Sequence, residues 1–254
     1  LILTILVFVT LALKGGMYIY YFQEYLDTNA LAQFLQQIGF NNFIDRLNTS
    51  LASMGLTEFQ WPEDAPTSSF SLFNAGGIIF MIVGIFFSKP LADRYGKRNV
   101  FGSGLFLSAI FLLAFVLYPP NTIALVFITQ ILHGFFYGIT IPLLWAMIAD
   151  VADYSEWKNN RRATAIIFSA MIFGLKVGLS IGGALVAYLL AHYGYDIESA
   201  VQSANTAEGI KLSISIYPGL IFLLGVGCLF FYEINKQLED RIETELQARR
   251  TETV

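Results

Sequence analysis

Charge is what this sequence has least of. Asp, Glu, Lys and Arg make up 13% of its 254 residues, about half the share usual in a soluble domain. Cysteine occurs once, at Cys228, so no disulfide can form within the chain. No Cys/His spacing suggests a metal ligand set, and no metal or cofactor is expected. Nor is a nucleic-acid partner, in a chain whose net charge is −4. The scarcity is also uneven. Residues 65–88, 99–149, 163–175, 177–195 and 212–232 contain no charged residue at all.

What fills these gaps is apolar, for 56% of the chain is hydrophobic. A helix rising about 1.5 Å per residue crosses a bilayer in about 20 apolar residues. Runs this long and this frequent exceed what a soluble core needs, and they lack the alternation of barrel strands. The expectation is an all-α membrane protein with six transmembrane helices, at about 1–26, 67–88, 99–118, 122–149, 163–192 and 211–233. The long uncharged run divides at Pro119-Pro120-Asn121, a turn signal. Pro142 is expected to kink the fourth span. The first residue is Leu, already inside a span and without a signal-peptide pattern, which suggests the later part of a longer protein.

The basic residues set an orientation. Segments 89–98, 157–162 and 234–254 hold eleven of the fifteen Lys and Arg, whereas 27–66, 119–121 and 193–210 hold only Arg46. The positive-inside rule places the first group, including the tail 234–254, in the cytoplasm. Segment 27–66 has no run long enough to span. Its apolar residues Leu31, Phe34, Leu35 and Ile38 recur at helical spacing, so short amphipathic helices capping the outer face are expected.

Two lysines lie within apolar segments, and a charge there normally faces a bundle interior or a wet cavity. Lys176 stands fourteen residues beyond Arg162, about 21 Å along a helix. Gly174, Gly178 and Gly182 form a smooth face suited to close packing, with Ser169, Lys176 and Ser180 on the opposite side. Lys14, Tyr18, Tyr21 and Tyr25 share one face of the first span, where a cation among rings suits a hydroxyl-rich ligand. Tyr21 and Tyr25 also fit an interfacial aromatic belt. Gln130, His133, Tyr137 and Thr140 form an inward stripe on the fourth span, and Asn74 is a similar residue on the second. The substrate-binding candidates are therefore Lys176, Tyr18, Lys14, Tyr21, Tyr137, His133 and Ser180.

The charge omitted elsewhere gathers in "DVADYSEWKNNRR", residues 150–162. Asp150, Asp153 and Glu156 end one span and Arg161 and Arg162 begin the next. They can pair with bases of this loop or of "KPLADRYGKR", residues 89–98, as a gate that forms in one state and breaks in another. An alternative of another class is an intramembrane prenyltransferase holding Mg²⁺-pyrophosphate on its acids, although that chemistry needs two acidic motifs and one is present.

Residues 147–195 resemble the signature of the glycoside–pentoside–hexuronide:cation symporters of the major facilitator superfamily. The shared pattern is Ala149, Asp150, Asp153, Tyr154, Glu156, Arg162, Ser169, Lys176, Gly182, Gly183, Gly194 and Tyr195. "LADRYGKR", with Asp93 and Arg94, resembles the superfamily's cytoplasmic loop motif, and "YIYYFQEYL" its tyrosine-rich seventh helix. The resemblance implies the C-terminal half of a twelve-helix transporter in a bacterial inner membrane. It would move a sugar or glycoside with Na⁺ or H⁺ by alternating access. Lys176 would stand at the central cavity, and Asp150, Asp153, Glu156, Arg162, Asp93 and Arg94 at the gate. The coupling cation would be bound mainly by the N-terminal half. Asn159, Asn160 and Arg161 depart from the family pattern, as do Met171 and Ile172, which leaves a lipid-like or other non-sugar solute open.

Overall fold

The computed structural model describes residues 1–199 and 201–252. Ala200, in the connection 193–210, and residues 253–254 of the tail lie outside the described residues. The chain forms ten helices among the described residues: α1 (Ile2–Tyr20), α2 (Thr28–Gln37), α3 (Phe40–Ser53), α4 (Ala65–Tyr95), α5 (Lys97–Ala114), α6 (Ile123–Asn159), α7 (Thr164–His192), α8 (Ala204–Ile214), α9 (Ile216–Cys228) and α10 (Lys236–Glu252). A wider π-helical turn, Tyr21–Tyr25, prolongs α1. Six helical stretches are long and apolar enough to cross a membrane, so this is a multi-pass membrane protein.

These stretches fall where the uncharged runs predict them, with two instructive extensions. α4 continues through Pro90 to Tyr95 and α6 through Pro142 to Asn159. Backbone bonding need not stop where lipid does, and α6 stops only at Asn160, in the left-handed conformation with φ 51°. Asp27, Asp64 and Ser203 cap α2, α4 and α8 by accepting from the backbone N–H of Ala30, Thr67 and Thr206. The last span is α8 and α9 together. They part at Ser215, whose hydroxyl donates to the carbonyl of Lys211 at 2.6 Å.

Without a hydrophobic force between helices in lipid, close backbone approach does much of the packing. α7 lies on α1 through its glycine face: a methyl on Gly178 would stand 2.7 Å from the carbonyl oxygen of Ile5, and one on Gly182 would stand 2.6 Å from that of Val9. α4 and α6 cross just as tightly. A methyl on Gly138 would sit 2.1 Å from the oxygen of Met81, and one on Gly84 at the same distance from the oxygen of Phe135. Two apolar cores result. One, around Phe101, Leu105, Met147 and Phe222, lies toward the end carrying the basic segments. The other, around Leu13, Phe22, Phe73 and Phe115, lies toward the opposite end.

At that opposite end the amphipathic helices form as their spacing predicts. α2 buries Leu31 and Leu35 and sets Phe34 against Phe127, with ring centroids 4.7 Å apart. The Trp61 indole N–H donates to Ser68 at 2.7 Å, tying the end of the insertion to the first turn of α4.

Candidate functional site

The seven substrate-binding candidates fall in two places. Lys176 and Ser180 are exposed on α7, as is Ser169, because the opposite face of that helix is taken up against α1. Lys176 is twelve residues into a helix of twenty-nine, about 18 Å from its start and thus near mid-membrane. An ammonium facing hydrocarbon at that depth costs at least about 2.5 kcal/mol. This polar stripe runs down an otherwise oily surface that includes Phe173 and Leu179.

Lys14, Tyr18, Tyr21, His133 and Tyr137 are instead packed in the interior, where the two cores meet. Lys14 Nζ lies 2.5 Å from His133 Nε2. On the far side of the ring, Nδ1 lies 3.0 Å from the Ser108 carbonyl oxygen and 2.9 Å from its hydroxyl. A carbonyl only accepts, so the ring hydrogen belongs on Nδ1 and Nε2 is left as an acceptor for the lysine. The imidazole is therefore neutral. Charging it as well would set two cations 2.5 Å apart, at a cost of about 7 kcal/mol even at an effective dielectric constant of about 20.

Aromatic faces surround the pair. Lys14 Nζ is 5.7 Å from the ring centroids of both Tyr18 and Tyr137, within cation–π range. Tyr137 and Phe222 stack parallel to the imidazole, and the Tyr18 hydroxyl donates to Gln130 at 3.3 Å. Tyr21 sits beyond them in the π-helical turn. It is fully buried, packs against Phe22, Tyr25 and Phe115, and its hydroxyl has no partner among the described residues.

The gating candidates gather at the basic end. Arg162 pairs with Asp153 at 3.1 Å and with Glu156 at 3.6 Å. Asp150 pairs with Lys97, the first residue of α5, at 2.6 Å. Both kinds of pairing anticipated from the sequence thus occur. Asp93 and Arg94 are exposed; Arg94 lies over the Tyr95 ring, and the Asp93 carbonyl accepts from Lys236. A cavity of about 290 Å³ is lined by Lys97, Asp150, Asp153 and Arg162 together with α10.

That helix is the part sequence reasoning missed. Glu239 makes a second ion pair with Lys97 at 2.8 Å. Ile234, Ile242 and Leu246 are buried. The Trp157 indole donates to Glu245 at 2.6 Å, and Arg241 covers the Trp157 ring. The Glu245 carboxyl is held below its ordinary range by Arg241 and by the Trp157 N–H. The available signal was Leu238, Ile242 and Leu246, an apolar stripe of four-residue spacing in an otherwise charged tail.

Residues 66–236, more than half of the chain, match the family described as MFS/sugar transport protein. The chain belongs to this family. Among curated relatives of this MFS chain, the putative glycoside/cation symporter YagG of Escherichia coli is 31% identical over 167 residues, covering 66% of this chain and 36% of the relative. The inner membrane symporter YicJ of Escherichia coli is 34% identical over 143 residues, 56% of this chain and 31% of the relative. The glucuronide carrier protein homolog of Escherichia coli is 28% identical over 183 residues, 70% and 40%. The MFS chain thus spans about a third of the length of these three relatives. Membership also decides against the prenyltransferase alternative, since the family consists of transporters rather than enzymes. The acids it would have used are engaged with Lys97 and Arg162.

Proposed function

We propose that this six-helix unit is one half of a secondary transporter that carries a hydroxyl-rich solute, a sugar or glycoside, together with a cation by alternating access. The observation that carries the reading is the stripe Ser169, Lys176 and Ser180, exposed at mid-membrane on a helix whose other face is fully packed. An ammonium is tolerated at that depth where it borders water or a polar cargo. A second six-helix unit set against this face encloses the stripe as a central cavity. The relatives named for glycoside/cation symport and as a glucuronide carrier homolog, each well over twice the matched length, support the same arrangement. The basic end is cytoplasmic by the positive-inside rule, which puts the tail there too, in a bacterial inner membrane.

The test uses the full-length protein in vesicles with radiolabelled methyl glucoside and glucuronic acid. Uptake against a concentration gradient, driven by an imposed Na⁺ or H⁺ gradient, is expected. Lys176→Ala is expected to weaken solute binding at least about tenfold, a loss of about 1.4 kcal/mol, with the melting temperature little changed because the side chain is exposed on this unit. Unaltered affinity in that variant refutes the role of the stripe.

A further inference from the structure

We propose that Lys14 and His133 form a proton-binding site inside the six-helix unit. The inference rests on the reading of the protein as a cation-coupled transporter and adds, within this half, a proton site to the cation site expected mainly in the N-terminal half.

The pair is unusual in its partners. Buried lysines are ordinarily matched by an acid, yet among the described residues no carboxylate reaches Lys14, whose Nζ meets another base instead. The surrounding helices supply no acid either. α1 contributes Tyr18, α5 contributes Ser108, α6 contributes Gln130 and Tyr137, and α9 contributes Phe222. α4 presents Phe73 to Tyr18. α7 turns its glycines to α1 and carries Lys176 on its far side.

The hydrogen bonds decide what such a pair can do. With Nδ1–H directed at Ser108, Nε2 accepts from Lys14 whether the lysine is an ammonium or a neutral amine, because both forms carry N–H donors. The pair therefore gains or loses one proton while keeping the same hydrogen bonds. A second proton is excluded, since Nε2 would then become a donor facing a donor. Binding changes the net charge of the interior from zero to one, and the ring faces of Tyr18 and Tyr137 receive that charge. Na⁺ does not suit the site, because it is a hard cation that prefers oxygen ligands and would here meet two nitrogens with an ammonium as competitor.

The first measurement needs no solute. The full-length protein, with histidine labelled with ¹⁵N, is followed by NMR in nanodiscs from about pH 5 to about pH 8. The His133 signals are assigned as those lost in His133→Gln. His133 is expected to keep the shifts of a neutral, Nδ1-protonated ring while Nε2 moves in a single step, and Lys14→Met is expected to remove that step. A static Nε2 signal in the unmodified protein overturns the proposal whatever the protein transports. The second measurement is solute flux in vesicles with methyl glucoside and glucuronic acid. In Lys14→Met, the ratio of pH-gradient-driven accumulation to equilibrium exchange is expected to fall about tenfold or more. Retained accumulation in that variant overturns the coupling role. Unmodified protein that accumulates either probe on a Na⁺ gradient alone overturns the coupling role of the pair and leaves the transport reading intact. If neither probe crosses, the sugar reading fails, and the NMR step still decides whether the pair binds a proton.

Discussion

Replacing Lys97 by Met tests whether α10 is held at the basic end by charge. Lys97 begins α5, Asp150 belongs to α6 and Glu239 to α10, so a single ammonium ties three helices at 2.6 and 2.8 Å. Each contact has a gross Coulomb energy of about 6 kcal/mol at an effective dielectric constant of about 20. Desolvation removes most of this, because the three side chains are only 26%, 13% and 27% exposed. Solvent-exposed pairs contribute at most about 1 kcal/mol, and breaking a fully buried pair costs about 3 to 5 kcal/mol. An intermediate loss of about 2 kcal/mol is expected, since Met leaves two carboxylates facing each other without a cation. That is about a 30-fold rise in the undocked population of α10. Hydrogen exchange of the α10 amides reads this directly, with Arg46→Met at the opposite end as the control. Lys97→Met combined with Glu239→Gln, which removes one of the stranded charges, should recover part of the protection. A rise of less than about fivefold in the single variant refutes the reasoning. It would leave the apolar contacts of Ile242 and Leu246 as what holds the helix.

Two further outcomes follow from the packing and from Glu245. Gly138→Leu drives a side chain into the Met81 carbonyl and should cost about 3 kcal/mol or more, seen as a lowered thermal transition. Gly183→Ala, with nothing within 4 Å of the added carbon, should shift stability by less than about 0.5 kcal/mol; equal effects would contradict the close α4–α6 crossing. Glu245 has its carboxyl depressed by Arg241 and Trp157. Its contribution to docking is therefore complete above the unfolded value of about 4.3 and lost as pH falls through the lower folded value. Trp157 fluorescence in a Trp61→Phe, Trp145→Phe background should stay flat at about pH 5 and change only in stronger acid, and Glu245→Gln should abolish the change. A transition above pH 5 would count against the assigned partners.

The spans were legible because uncharged length is a direct consequence of the cost of charge in lipid. That α7 packs closely through one face was also legible, because Gly174, Gly178 and Gly182 repeat at helical spacing, though not that α1 would cover it. The α4–α6 crossing was not. Gly84, Gly134 and Gly138 gain a common role only when the two helices are brought together, and each then proves to face the other's backbone. Lys14 and His133 could each be placed on an inward stripe. Their pairing depends on the register of helices 119 residues apart, which no local pattern records. The acids Asp150, Asp153 and Glu156 showed that bases must be near, and Lys97 and Arg162 answer them. The third member, Glu239, was hidden because a charged tail looks solvated whether or not it folds back.

α6 joins places that would otherwise respond separately. Its 37 residues make a helix of about 55 Å, which carries His133 about 15 Å from its start and Asp153 twenty residues farther on. Moved as one body, a tilt of about 10° pivoting at His133 swings Asp153 through about 5 Å. That displacement exceeds the 3.1 Å contact with Arg162, so a small rotation imperceptible at the membrane centre suffices to unlatch the far end.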